Sequence, residues 1–114
     1  MKTSKIFATL AVVGLLTACA TDPHPMNMTQ MVQNAKTSAD HEALAKHYDD
    51  AAKEMQTKVE EHKKLLEQYT TGSYGKQAQN LKTHCEFLIR TYQQAAKTNS
   101  DMADAHRQMA AEAK

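Results

Sequence analysis

The stretch Thr70-Thr71-Gly72-Ser73-Tyr74-Gly75 holds two of the three glycines in a chain of 114 residues. Both prolines, Pro23 and Pro25, lie far upstream. On either side of TTGSYG run long segments rich in Ala, Glu, Lys, Gln and Met, residues that cost little in a helix. Two glycines between two such segments mark a loop. The pattern therefore predicts two helices, over roughly residues 39–70 and 76–112. Ser38 or Asp40 is the expected cap of the first helix, and Gly72 its stop. Thr98-Asn99-Ser100-Asp101 is the weakest point of the second, the place at which it could split.

The apolar positions follow a heptad and not the alternation of a strand. On the first helix one seam position reads His41, Tyr48, Met55, His62, Tyr69. Its companion reads Leu44, Ala51, then Val59 and Leu66 after a slip of one residue. On the second helix the seam reads Cys85, Tyr92, Asn99, His106, Ala113, with Leu81, Leu88, Ala95, Met102, Met109 beside it. Folding back at the loop sets Leu66 against Leu81, His62 against Cys85, Val59 against Leu88, Met55 against Tyr92 and His41 against His106. A stagger of three or four residues leaves the seams in contact. The expected fold is all-α, a long antiparallel helical hairpin of coiled-coil type. Its seam is narrow and rich in alanine, so a partner surface is expected, in the form of two hairpins making a four-helix bundle.

The start of the chain reads MKTSKIFATLAVVGLLTACATD. Lys2 and Lys5 form a positive head, and Ile6 to Leu16 an apolar run of about 16 Å as helix. That is too short to span a bilayer, which needs about twenty residues, but it has the layout of a secretory signal. Leu16-Thr17-Ala18-Cys19 resembles the lipobox of bacterial lipoproteins. The resemblance implies that Cys19 is diacylglycerylated, that residues 1–18 are removed as a signal peptide, and that the new amino group is acylated. Ala20 after the cysteine, in place of Asp, implies sorting to the outer membrane, facing the periplasm. Several acyl chains make a stable anchor, each buried CH₂ contributing about 0.8 kcal/mol. Residues 19–37 then read as the lipidated cysteine and a flexible polar tether, and residues 38–114 as the helical domain.

Loss of the signal removes Lys2 and Lys5 from fourteen basic residues, which leaves the chain nearly balanced against thirteen acidic ones. No basic block exceeds Lys63-Lys64, so nucleic acid is not an expected partner. With Cys19 lipidated, Cys85 is the remaining thiol. In an oxidising compartment one leftover cysteine points to intermolecular pairing, a ligand role or burial.

The seam histidines carry the chemistry. His41 and His62 lie three heptads apart, about 31 Å along one stripe. The hairpin returns His106 near His41, and His84-Cys85 near His62. At the open end, Met102, His106 and Met109 are spaced to share a helix face with His41 opposite. Imidazole with thioether suits a soft ion such as Cu(I) or Ag(I). At the loop end, His62, His84 and Cys85 offer two imidazoles and a thiol, a set for Zn(II) or copper. His24, Met26, Met28 and Met31 add a third sulfur-rich stretch, similar in composition to the His/Met tracts of periplasmic copper and silver binders. The competing reading is structural. A seam methionine is ordinary core filler, and facing polar residues on a seam fix its register. A Cys/His pair without an orienting third group gives catalysis no support, and an enzyme is not expected.

Two function classes follow. One is a lipid-anchored periplasmic helical protein that holds or buffers a soft metal ion. The other is a structural or protein-interaction envelope lipoprotein with no metal. For the second, the terminal Lys114 is similar to the peptidoglycan-linked lysine of the major outer-membrane lipoprotein family. The sequence departs from that family in folding back, in its polar seam and in its Glu112-Ala113-Lys114 ending. Ala39-Asp40-His41-Glu42-Ala43-Leu44-Ala45 and His84-Cys85 resemble small helical proteobacterial lipoproteins, a likeness that brings no assigned activity.

Overall fold

Thr37 decides where the first long helix starts. A computed structural model describes residues 27–113. In it Thr37 is extended, and its hydroxyl accepts the backbone N–H of Asp40 at 3.1 Å. The Asp40 carboxylate in return accepts the N–H groups of Thr37 at 2.9 Å and Lys36 at 3.0 Å. This reciprocal capping box satisfies N–H groups that the first turn leaves unpaired. The cap is thus Thr37, one residue before the expected Ser38, and Asp40 is its return partner. The backbone N–H bonds hold the Asp40 carboxyl down at about 2, with Lys36 contributing most.

Three helices follow in order: α1, Met28–Asn34; α2, Ser38–Thr71; and α3, Ala78–Glu112. A single 3₁₀ turn, Gly75–Gln77, leads into α3. The long pair matches the two helices read from the sequence, within a residue or two at each end. The loop is held by aromatic packing. Tyr74 meets Tyr69 edge-on at 5.1 Å. Gly72 ends α2 by donating its N–H to the Gln68 carbonyl at 2.8 Å. A Cβ on Gly72 would stand 2.3 Å from the Tyr74 ring and 2.8 Å from that carbonyl, so glycine is required by the close approach. Gly75 is required for a different reason, its φ of +60°.

α3 runs unbroken through residues 98–101, its weakest stretch in the sequence. Asn99 turns its side-chain amide back to the Ala95 carbonyl at 2.8 Å, which satisfies the polar group within the helix. The segment read as a tether departs from expectation. Its residues 28–34 are helical, with the Asn27 side chain accepting the N–H of Gln30. A cleft of about 480 Å³ separates α1 from α2, between Met31 and Ala43.

α2 and α3 pack antiparallel, and their contact differs from the predicted seam in one respect. On α2 the expected positions His41, Leu44, Tyr48, Ala51, Met55, Val59, His62, Leu66 and Tyr69 are all buried or half-buried, and Ala45, which the seam does not include, is buried with them. On α3 the expected Leu81, Leu88 and Ala95 are half-buried, but the helix is turned so that Met102 and Met109 leave the contact. Cys85, Ile89, Tyr92, Ala96, Asn99, Ala103, His106 and Ala110 face α2, at alternating steps of four and three. Ala103 is 0 % exposed, while Met102 beside it is 41 % exposed and Met109 is 45 % exposed. The reason is steric. Small residues at 96, 103 and 110 let the two backbones approach, and the bulkier methionines are turned out to the rim. Across the seam, His106 lies between His41 and Tyr48, and Tyr92 lies on His62, so the helices are staggered by about half a heptad from the direct pairing.

Leu44 and Val59 are the large side chains fully removed from solvent among the described residues. The rest of the buried set is Ala45, Cys85, Ala103, Ala110 and His106. Surface ion pairs such as Lys46–Asp50, Lys58–Glu61 and Lys97–Asp101 run along each helix at i, i+3 or i, i+4 and add little. Arg107 reaches across instead, to Asp49 on α2, and closes one edge of the hairpin. Among the described residues no helix is long and apolar enough to cross a membrane.

Candidate functional site

The open end of the hairpin gathers three rings. His41 sits in the first turn of α2, just inside the Thr37 cap, and its N–H donates to the Thr37 carbonyl at 3.2 Å. His106 comes from the last two turns of α3. The two Nδ1 atoms are 3.2 Å apart, and the rings stack at 5.4 Å with 24° between planes. Tyr48 stacks on the other side of His106, at 5.5 Å and 7°. His106 is therefore sandwiched between His41 and Tyr48. The sequence reading placed His41 opposite His106 but did not find Tyr48 in the stack. The signal was the heptad itself, since a knob between two residues of one stripe touches both.

Burial pushes the pKa of His106 below the ordinary histidine value, and the charge of His41 pushes it further the same way. The contact between ring nitrogens imposes a proton count. One Nδ1 must carry a hydrogen and the other must offer its lone pair. A pair with both rings charged has no acceptor and cannot keep the contact.

Met102 and Met109 do not join the site. Both stand on the exposed rim of α3, turned out by the rotation that buries Ala103 and Ala110. The expected four-residue set His41, Met102, His106 and Met109 thus reduces to the two imidazoles. A linear soft-metal site spanned by two nitrogens needs them about 4 Å apart, twice a bond of about 2.0 Å. The observed 3.2 Å is hydrogen-bond spacing.

At the loop end the expected trio is split. His62 stacks on Tyr92 at 5.5 Å and 19°, and its Nδ1 is buried without a hydrogen-bond partner. Cys85 is buried, and burial pushes its thiol pKa up, away from the thiolate that metals bind. His84 is exposed. Adjacent residues on a helix point about 100° apart, so His84 and Cys85 do not share a face. Among the described residues no group of three or more His, Cys, Asp and Glu side chains is placed to hold a metal ion. Of the third stretch, Met28 and Met31 belong to α1, while His24 and Met26 lie outside the described residues. Cys19 and Lys114 also lie outside them.

The turning of α3 exposes Met102 and Met109, which the heptad predicts at the seam, and joins them to an outward line of residues that the heptad does not mark. Phe87 is 59 % exposed, and Thr91, Thr98, Met102, Ala105 and Met109 continue its line toward the open end. The residues recur at intervals of three, four and seven, so they lie on one side of the helix. None carries a charge. No protein-family model matches the chain, and neither a curated protein nor a solved structure resembles it closely enough to count as a relative.

Proposed function

We propose that this protein is a lipid-anchored envelope protein that works by docking, with the helical hairpin as an interaction module on the periplasmic face of the outer membrane. One observation carries the docking part: a thin two-helix core beside a long, uncharged and exposed face of α3. A surface of this kind lowers its free energy by meeting another apolar surface. The anchoring part rests on the lipobox Leu16-Thr17-Ala18-Cys19 and the signal layout before it. The anchor is tested by mass spectrometry of the envelope-extracted chain and by labelled palmitate. Cys19→Ala is expected to lose the label and leave the membrane fraction. Retention of residues 1–18 and absence of label would overturn it.

A second reading is favoured by the convergence of two imidazoles at 3.2 Å. In it, His41 and His106 part slightly to take a soft ion such as Cu(I) or Ag(I) between their Nδ1 atoms. Titration of Cu(I), Ag(I) and Zn(II) against a competing chelator, beside a His41→Ala/His106→Ala variant, decides it. Stoichiometric binding lost in the variant supports the metal. No binding tighter than about micromolar, a free energy of about −8.2 kcal/mol, returns the pair to a structural role.

A further inference from the structure

We infer that the exposed face of α3 is covered by the same face of a second copy of this chain, packed antiparallel about a two-fold axis at Thr98. The inference rests on the docking reading above and is independent of the lipid anchor.

Three features of the hairpin carry it. The first is the shortage of core. Two helices of 34 and 35 residues bury fully only two large side chains, Leu44 and Val59. Chains of this size are marginal even with a filled core. The α3 stripe between residues 84 and 109 is about 38 Å long and, as one helix face, about 10 Å wide, on the order of 400 Å². Two copies together would cover about 800 Å², at the low end for a specific contact.

The second is the order of side-chain sizes. Reversing the stripe about Thr98 sets Phe87 against Met109 of the partner subunit and Thr91 against Ala105 of the partner subunit. Ala95 and Met102 of the partner subunit come within one residue of direct opposition, and Thr98 meets its own copy. The aromatic ring meets a flexible thioether at the two ends, and small meets small at Thr91–Ala105 and at Thr98 itself. A flexible thioether fills irregular gaps against an aromatic ring well. An isologous contact needs this self-complementarity, because each pair occurs twice.

The third is charge. From residue 84 to 109 the stripe carries no Lys, Arg, Asp or Glu, so it has nothing to recognise a charged partner. The same reversal brings the exposed His84 imidazole to Glu112 of the partner subunit, a ring N–H donor beside a carboxylate acceptor at each end.

The test is made on the full chain in the envelope. Thr98→Cys is oxidised, and the products are sized and mapped. The expected result is a doubling of mass, reversed by reductant, with the linked peptide at position 98 on both chains. Ser100→Cys, on another side of α3, is expected to remain single. A single-mass Thr98→Cys product, a link to a protein of different mass, or equal linking of Ser100→Cys overturns the inference. A charge-swap series then checks the register on chains whose helicity is intact. Phe87→Asp and Met109→Lys are each expected to halve the mass, and the two together to restore it. Failure of restoration overturns the antiparallel pairing.

Discussion

His41 and His106, 65 residues apart in sequence, touch through their Nδ1 atoms at 3.2 Å and tie the first turn of α2 to the end of α3. The contact stands only while at least one ring is neutral. His106 has its pKa lowered in the folded chain, by burial first and by His41 second. A histidine with a lowered folded pKa binds more protons when unfolded, so stability rises with pH in its window. Its contribution is complete above the ordinary value of 6.5 and is lost as pH falls from there through the folded pKa. With a chelator present, the melting temperature is expected to fall as pH drops below 6.5. In His106→Asn the fall should be smaller. An identical slope in the two chains would remove His106 as its source.

How the sequence disclosed this pair, and failed to disclose its neighbours, has a physical reason. The loop glycines and the absence of proline downstream set two helices and their antiparallel sense, and the heptad brought His41 to His106. The heptad does not choose between the residues on either flank of a seam. At Met102 and Ala103 the larger residue is the better apolar filler, and burial was expected there. Backbone approach decided otherwise, because alanines at 96, 103 and 110 allow closer helices than a methionine stripe does. With α3 turned, two predicted ligands left the open-end site. The loop-end trio was lost to a local rule, that neighbours on a helix diverge.

The turned helix is testable at one position. Ala103 is fully buried against α2, and Ala111 is exposed. Ala103→Leu is expected to cost about 1–3 kcal/mol through overpacking. Ala111→Leu should change stability by less than about 0.5 kcal/mol, as surface substitutions do. Chemical denaturation of both variants decides it. Equal effects would place Ala103 outside the seam.

His62 presents the opposite case, a polar atom where an apolar one would serve. Its Nδ1 is buried without a partner while the ring stacks on Tyr92. An unsatisfied buried acceptor or donor costs about 1–3 kcal/mol, and an apolar replacement of similar shape removes that cost. His62→Leu is therefore expected to raise the melting temperature, by about 4–8 °C if the gain is 1 kcal/mol. A lowered melting temperature would mean that the imidazole has a partner in solution and contributes to the seam.

Cys85 is the thiol that sequence counting left over, with pairing, ligation and burial all open to it. The structure buries it, at 5 % exposure, at the loop end of the hairpin contact, two turns into α3. Burial also raises its pKa, which lowers the fraction of reactive thiolate. Alkylation by iodoacetamide at pH 8 is expected to be slow in the folded chain and fast in denaturant. The ratio reports how often the hairpin opens at the loop end, since the reagent reaches the sulfur only through that opening. Replacing Tyr74 by Ala removes the edge-on contact with Tyr69 that holds the loop, and should speed alkylation of the native chain without altering the rate in denaturant. Equal native rates in the two chains would show that the seam alone, and not the loop aromatics, keeps Cys85 closed.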